Sequence, residues 1–251
     1  MGAVGLLYVG AVLVVNGLML LGLVDARAAA PLNLFVGALQ VVTPTVLLVT
    51  ADGDTATILA ASGLYLFGFT YLYVGINLLA GLDGTGLGWF SAFVAACALV
   101  YAGLNFFYVE PRDPGFGVIW LYWAVLWALF FVVLGLKREE FTRYTGAIAV
   151  VAGLLTAALP AFLLLTGSWA DYTGTWAVIL AIVLAASLVL AYPRLRGRPQ
   201  PAVPPAAPVP AGPPASPEGV PVARQAPERD TARPADPRGG GSSQAPVQDR
   251  S

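Results

Sequence analysis

The sequence predicts an all-α polytopic membrane protein with seven spans and a disordered carboxyl-terminal tail. Of its 251 residues, 58% are hydrophobic and only 11% are charged, whereas soluble domains carry roughly 25% charged residues. Apolar runs of about 20 residues, long enough to cross a hydrocarbon core, recur up to residue 192. Fifteen of the twenty prolines then fall at or after position 193, where these runs stop.

Each predicted span is an apolar run bounded by charged residues, prolines or glycines. The runs cover residues 1–24, 31–50, 61–82, 87–109, 116–136, 144–167 and 175–192. The prolines at positions 111 and 114 end the fourth run, because two prolines so close do not continue a helix. Pro160 frees the main-chain carbonyl of Thr156, so we expect a kink in the sixth run. The first run is longer than a signal core of about 7–15 residues and has no basic start, so we expect no signal peptide.

The tail, residues 193–251, is rich in proline and contains the run GGGSSQ. Such a segment has too little apolar surface to offset the entropy of ordering, so we expect it to be disordered and partly polyproline. Docking of a partner through polyproline and an inert extension both remain open interpretations.

Charge in the turns predicts the orientation in the cell membrane. The turns after odd-numbered spans hold most of the bases, and the turns after even-numbered spans hold mainly acids. By the positive-inside rule, the amino terminus lies outside and the tail lies in the cytoplasm. The bases on the inner side are Arg27, Lys137, Arg138, Arg143, Arg194, Arg196 and Arg198, against Arg112 alone on the outer side.

Several classes of function lack the residues that they need. The chain has no histidine and a single cysteine, Cys97, so metal sites, a Cys/His nucleophile and a Ser/His/Asp triad are not available. Every charge before the tail is expected in a turn, and paired carboxylates such as Glu110 and Asp113 are expected to be solvated loop charge, which argues against proton pumping and ion filters. The seventh run has no lysine for a retinal Schiff base, and no GxxxxGK[ST] motif is present. We expect no catalytic residue, metal, cofactor or nucleic-acid partner.

Two aromatic ladders are candidates for a solute pathway. In VIWLYWAVLWALFF, Trp120, Trp123 and Trp127 follow i, i+3, i+7 spacing, so their indoles form one stripe on a helix. In FGFTYLY, Phe67 and Tyr71 stand one turn apart on one face. Such stripes are typical of core packing or of an interfacial belt. The alternative is that the two faces line a narrow, uncharged slot.

Polar side chains within the spans are few, and they suit a small neutral solute. Asn16 and Asn77 are the most notable, together with Thr70, Tyr71, Thr156 and the indole N–H groups. A flat amide could lie against aromatic rings while its N–H and C=O groups meet these donors and acceptors. A hydrogen bond between helices is an equally good interpretation of either asparagine.

Five segments resemble the UreI/AmiS family of urea channels and short-chain amide transporters, in the family's order. They are LLYVGAVLVVNG at 6–17, PLNLFVGALQVV at 31–42, FGFTYLYVGIN with GLD at 67–83, IWLYWAVLW at 119–127 and LLTAALPAFLL at 154–164. The resemblance implies a six-helix urea/amide channel domain over residues 1–170. The apolar run that follows predicts an additional transmembrane helix at 171–192. It also implies a homo-hexamer in which each protomer has its own pore.

Matching motifs imply that the pore-lining residues form two constrictions. The cytoplasmic constriction would comprise Phe67, Tyr71, Leu126 and Trp127. The outer constriction would comprise Leu6, Val9, Leu13, Trp120 and Trp123. Asn16 would line the space between them. The i, i+3, i+7 spacing of the three aliphatic residues in the outer set supports one common helix face.

Three departures from the family pattern matter. Acid-gated members carry histidines in outer loops, and this chain has none, so we expect a channel without that gate. Ala152 stands where family members carry a buried glutamate, which puts any hydrogen-bond network of that carboxylate in doubt. The seventh span and the tail are additions.

Residues and resemblance together lead us to expect a passive, uncoupled channel for urea or short-chain aliphatic amides. It would sit in membrane lipid and feed a cytoplasmic urease or amidase, and it would catalyse no reaction. The alternative is a membrane anchor or sensory protein that acts through its proline-rich tail. In that case, deletion of residues 193–251 would abolish function, while the tryptophans would tolerate alanine.

Overall fold

This computed structural model describes residues 2–195 of the protein, which form seven helices. All seven are long and apolar enough to span a membrane, and no strand occurs within residues 2–195. They are α1 (Gly2–Leu20), α2 (Ala26–Thr50), α3 (Thr55–Ala80), α4 (Thr85–Phe107), α5 (Pro114–Gly135), α6 (Glu139–Leu165) and α7 (Trp169–Leu195). The predicted all-α polytopic fold is confirmed. The predicted boundary between the seventh span and the tail at residue 193 is too early, because α7 continues to Leu195. The predicted disorder of residues 196–251 lies outside the described residues.

Helices α2 and α3 begin earlier than the expected residues 31 and 61, because acidic N-caps precede them. The side chain of Asp25 accepts a hydrogen bond from the main-chain N–H of Arg27 at 2.8 Å. Asp54 accepts one from the main-chain N–H of Thr57 at 2.9 Å. These carboxylates satisfy donors that the first helical turn leaves without a partner.

Glycines in the left-handed conformation follow α1 and α3. Gly22 has a φ of 82° and Gly81 a φ of 65°, a backbone conformation that glycine adopts without steric cost. The expected ends at residues 24 and 82 are therefore too late. Helix α7 differs at its other end, since it begins at Trp169 instead of residue 175.

The expectation that every charge before the tail lies in a turn is wrong for five side chains. Arg27, Glu139, Glu140, Arg143 and Asp171 lie inside helices. All five stand near the amino-terminal ends of α2, α6 and α7, where long side chains reach the headgroup region. Arg143, for example, donates from Nη1 to the main-chain oxygen of Leu21 at 3.2 Å. The middle of each described helix stays uncharged.

Helix α6 passes through a π-helical segment directly before Pro160, where the sequence predicted a kink. Residues Gly153–Ala158 are π-helical between the α-helical segments Thr142–Ala152 and Leu159–Leu165. A proline removes a hydrogen-bond donor and crowds the preceding turn, and the wider π-helical turn accommodates both effects. A second π-helical segment, Phe131–Gly135, ends α5.

The interrupted part of α6 packs tightly on α1 through facing glycines. A Cβ atom on Gly10 would lie 2.8 Å from the main-chain oxygen of Gly153, and one on Gly17 would lie 2.6 Å from that of Gly146. The two backbones are therefore in direct contact, because any larger side chain at these positions would separate them. This contact holds the π-helical segment against the six-helix bundle.

Helix α7 lies at the edge of this bundle, on α5 and α6. Only 11% of its membrane-crossing window is buried, against 33–50% for the other six. The hydroxyl of Tyr122 in α5 is 3.0 Å from the hydroxyl of Ser187. The hydroxyl of Tyr144 in α6 donates to the main-chain oxygen of Leu188 at 3.1 Å. These contacts hold the carboxyl-terminal half of α7 on α5 and α6, while most of its surface remains exposed.

Asp113, interpreted from the sequence as solvated loop charge, instead joins α5 to α7. Its carboxylate caps α5 by accepting from the main-chain N–H of Phe116 at 2.9 Å. It also accepts from the indole Nε1 of Trp169 at 2.7 Å and from the hydroxyl of Thr173 at 2.5 Å. The correction follows from the fold, because α7 folds back beside the turn that holds Asp113.

Candidate solute pathway

Phe67 of α3 lies against all three tryptophans of the α5 stripe. Its ring centroid is 5.7 Å from that of Trp120, 4.7 Å from that of Trp123 and 5.0 Å from that of Trp127. The side chain of Phe67 is 2% exposed, and that of Trp127 is fully buried. The structure thus brings the two aromatic ladders face to face, in a cluster whose edge-to-face contacts are typical of stable aromatic packing.

Two threonines fix the indoles of this cluster. Trp123 donates from Nε1 to Oγ1 of Thr156 at 2.9 Å, and Trp127 donates to Oγ1 of Thr70 at 3.3 Å. The threonine hydroxyls in turn donate to main-chain oxygens within their own helices, at 2.6 and 2.7 Å. These indole N–H groups and hydroxyls therefore satisfy one another in this conformation, and a role for them toward a solute stays a prediction.

Tyr101 of α4 is a member of the aromatic cluster that the sequence interpretation missed. Its ring stacks on Trp120 with centroids 4.5 Å apart and planes 19° from parallel, and its hydroxyl is 2.6 Å from that of Ser62. Gly63 makes room for the indole, since a Cβ atom there would lie 3.2 Å from Trp120. The fourth span offered no periodic aromatic signal that would single out Tyr101.

The aliphatic residues assigned to the constrictions pack with these rings. Leu6, Val9 and Leu13 are 8%, 1% and 1% exposed, Leu126 is fully buried, and all four belong to the same hydrophobic cluster as the tryptophans. The common face expected for α1 is thus directed into the bundle. Whether these side chains contact a moving solute stays a prediction.

A cavity of about 240 Å³ lies beside the aromatic cluster, between α1, α3, α4 and α5. No charged side chain lines it among the described residues. Four of the ten predicted pore residues line the cavity, namely Leu13, Asn16, Tyr71 and Trp127. The other six are not lining residues: Leu6, Val9, Phe67, Trp120, Trp123 and Leu126. Further lining residues include Thr70, Val74, Asn77, Ser91, Phe130 and Val133. Leu13, expected in the outer constriction, therefore shares a space with two residues of the cytoplasmic constriction.

Asn16 is engaged in a hydrogen-bonded pair between helices. Its Nδ2 donates to Oδ1 of Asn33 at 2.9 Å, and Nδ2 of Asn33 donates back to Oδ1 of Asn16 at 2.7 Å. Asn33 is fully buried in α2, and the sequence interpretation missed it, although an amide in an apolar span is itself a signal. The hydrogen bond between helices that was one interpretation of Asn16 is present, while its role in a pore stays a prediction, although Asn16 also lines the cavity.

Next to residues that line the cavity, an ion pair joins the turn after α3 to the turn after α5. Nζ of Lys137 lies 2.7 Å from Oδ2 of Asp83, and Leu82 and Gly84, on either side of Asp83, line the cavity. The hydrogen bonds from Lys137 and Thr85 hold the pKa of the Asp83 carboxyl below its ordinary value. Asp83 therefore remains ionised at any physiological pH.

Comparison with known proteins places this arrangement in a family. The model of the AmiS/UreI family transporter matches residues 1–168. The chain belongs to the AmiS/UreI family. This confirms the resemblance seen in five segments of the sequence, and the family segment ends directly before α7 begins.

Two relatives of this AmiS/UreI chain match it beyond the family segment. It is 58% identical over 204 residues to a Rhodococcus erythropolis protein named as an AmiS2 transporter, which covers 80% of this chain and 98% of that protein. It is 55% identical over 211 residues to a Mycolicibacterium smegmatis protein named as an amidate substrates transporter, which covers 82% of this chain and 97% of that protein. Since both matches are longer than residues 1–168, they extend into α7.

A solved structure shares the fold of the AmiS/UreI chain. The cryo-EM structure of the Helicobacter pylori urea channel in its closed state superposes with a TM-score of 0.61 at 35% identity, covering 67% of this chain and 100% of that chain. The AmiS/UreI chain is therefore a multi-pass membrane protein with a channel or transporter role, and the family is not one of enzymes.

Proposed function

We propose that this AmiS/UreI chain is a passive, uncoupled channel for urea or short-chain aliphatic amides. It assembles as a homo-hexamer in which each protomer, through its domain at residues 1–170, has its own pathway. The amino terminus lies outside the cell and the tail lies in the cytoplasm, where the solute serves a urease or an amidase. The channel has no acid gate.

One observation carries the proposal: the cavity has no charged lining and adjoins a cluster of aromatic rings. A flat, neutral amide can lie against such rings, whereas an ion would lose its hydration shell without compensation. Coupled transport normally needs ionisable groups at membrane depth. The charges of the described residues stand only in turns and near helix ends, which favours downhill flow.

All ten predicted pore residues remain pore residues in this proposal. The one adjustment concerns Leu13, which was expected in the outer constriction. Leu13 and Asn16 line the cavity together with Tyr71 and Trp127, so we place the cavity next to the cytoplasmic constriction. The Phe67–tryptophan cluster then separates the cavity from the outer side. A solute passes when these rings move apart by a small amount.

Stopped-flow measurements on proteoliposomes test the function and the site together. Wild-type protein is expected to raise urea and acetamide permeability above that of protein-free vesicles and to exclude ions. Trp123→Ala and Tyr71→Ala are expected to change the ratio of acetamide to glycerol permeability. Trp89→Ala is the matched control, because Trp89 is 59% exposed on α4. Ion conduction, or solute flux no faster than bare lipid, would falsify the proposal.

Deletion of residues 196–251, which leaves α7 complete, separates the channel from the rival function of a tail-dependent anchor. A channel keeps its amide flux without the tail, whereas an anchor loses its activity in cells. The orientation has its own test in a variant without Cys97, the single native cysteine. A cysteine placed in the tail is expected to react with a membrane-impermeant maleimide only after the cells are opened.

A further inference from the structure

Asn77 of α3 carries a side-chain amide that no described residue binds. Both Nδ2 and Oδ1 are buried without a hydrogen-bond partner, and the residue is 8% exposed. Its main-chain oxygen, by contrast, accepts from the N–H groups of Gly81 at 2.9 Å and Leu82 at 3.2 Å. The backbone of Asn77 thus ends the helix, while its side chain has no structural role there.

The position of Asn77 distinguishes it from an ordinary buried amide. It lines the cavity of about 240 Å³, as does Tyr71, whose buried hydroxyl also has no partner among the described residues. Buried polar groups are nearly always hydrogen-bonded, since an unmade bond is costly. Two such groups in the wall of one cavity therefore indicate a site for a polar molecule.

The same structure shows how one amide recognises another. Asn16 and Asn33 form a reciprocal pair in which each Nδ2 donates to the other Oδ1, at 2.9 and 2.7 Å. A primary amide or urea presents the same N–H and C=O groups on one edge as an asparagine side chain does. It can therefore form with Asn77 the pair that Asn33 forms with Asn16.

We propose that Asn77 is a solute-binding residue that pairs with a primary amide or urea through two reciprocal N–H···O=C hydrogen bonds. The hydroxyl of Tyr71 supplies a third contact, either to the solute oxygen or from its second N–H. Ser91, on the same cavity, already donates to the main-chain oxygen of Leu87 at 2.8 Å and offers only lone pairs. This inference rests on the proposed function, because it assumes that amides enter the cavity.

The paired geometry predicts a particular selectivity. An N–H group must lie on the same side as the carbonyl oxygen, as it does in urea and acetamide. N-methylacetamide has one N–H, but its favoured form directs that N–H away from the oxygen, so it forms only one of the two bonds. The wild-type channel is therefore expected to favour acetamide over N-methylacetamide by more than their difference in size explains.

The test compares Asn77→Leu with Asn105→Leu in proteoliposomes. Asn105 of α4 is outside the cavity, and its Nδ2 donates to the main-chain oxygen of Tyr101 at 2.8 Å, so its replacement controls for removal of an amide from a membrane helix. Asn77→Leu is expected to lower the ratio of acetamide to N-methylacetamide permeability by about tenfold, the factor that one lost hydrogen-bonded contact represents. Asn105→Leu should leave that ratio unchanged.

The experiment distinguishes failure of the inference from failure of the proposed function. If Asn77→Leu conducts amides with the wild-type ratio, Asn77 is merely hydrated and the inference fails while the proposed function stands. If wild-type protein conducts neither solute, the proposed function fails and the inference fails with it. A competition assay covers a variant that does not fold: in wild-type vesicles, acetamide must inhibit labelled urea flux more strongly than N-methylacetamide, and equal inhibition overturns the inference.

Discussion

The indole of Trp123 donates its N–H to Oγ1 of Thr156 at 2.9 Å, which ties the centre of the aromatic cluster to the π-helical segment of α6. Thr156 is fully buried and itself donates to the main-chain oxygen of Ala152 at 2.6 Å. The orientation of the indole therefore depends on the interruption before Pro160. A change in α6 can therefore reach the aromatic cluster through this hydrogen bond.

Replacing Thr156 by valine should weaken the cluster without changing its volume. The variant leaves the buried indole N–H of Trp123 without an acceptor, at a cost of about 1–3 kcal/mol. We expect a lower unfolding temperature in detergent and a several-fold change in amide permeability. Thr156→Ser keeps the acceptor and should behave like wild type. A valine variant with wild-type stability and flux would show that the hydrogen bond has no role.

Replacing Phe67 by leucine should widen the passage. Phe67 contacts all three tryptophans of α5 at centroid distances of 4.7–5.7 Å, and leucine removes the ring from between them. We expect glycerol permeability to rise relative to urea permeability in proteoliposomes. Phe69→Leu is the matched control, since Phe69 is 50% exposed on the same helix. Equal selectivity in the two variants would show that Phe67 does not form part of the constriction.

Replacing Asp113 by alanine should loosen α7. Loss of the N-cap of α5 costs about 1 kcal/mol, and loss of hydrogen bonds to a charged group from Trp169 and Thr173 costs about 1.5–3 kcal/mol. We expect a lower unfolding temperature and, in a variant without Cys97, faster maleimide labelling in detergent of a cysteine that replaces the buried Ala177. The control is Asp171→Ala, because Asp171 is exposed in the first turn of the same helix. Labelling rates that match between the two variants would contradict the docking role.

Amide flux should vary by less than about twofold between pH 8 and pH 5. The chain has no histidine. Hydrogen bonds, chiefly from Lys137 and from Thr57, lower the pKa of the Asp83 and Asp54 carboxyls below 3.8. When the folded-state pKa of a carboxyl is lowered, its ionised form stabilises the folded protein. This stabilisation is complete above the unfolded-state pKa and is lost only as the pH falls through the folded-state pKa. Asp83 and Asp54 are therefore protonated only below pH 5, so neither carboxyl acts as a switch between pH 8 and pH 5.

Stopped-flow traces at several pH values, with equal pH on both sides of the vesicle membrane, check this directly. The same vesicles without protein give the baseline for each solute. A steep rise in flux between pH 7 and pH 5 would reveal an acid gate formed by groups other than these.

The sequence was sufficient for the helices and for the meeting of the two aromatic ladders. Seven apolar runs separated by proline, glycine or charge have one stable solution in a bilayer, because every backbone polar group must be satisfied within its own helix. Helical periodicity placed Trp120, Trp123 and Trp127 on one face, and that face does pack on Phe67. Local patterns of this kind need no knowledge of neighbouring helices.

The partners of the polar side chains were decided only by the tertiary structure. Asn16 and Asn77 look alike in the sequence, yet one is paired with Asn33 and the other has no partner among the described residues. Asp113 looked like loop charge, yet it holds Trp169. A hydrogen bond between helices depends on which helices are neighbours and how they are rotated, and that follows from packing across the whole bundle, such as the glycine contacts of α1 with α6. The sequence by itself determined which segments form apolar helices long enough to cross a membrane, and the packing of the helices determined which buried amide is paired and which is left without a partner among the described residues.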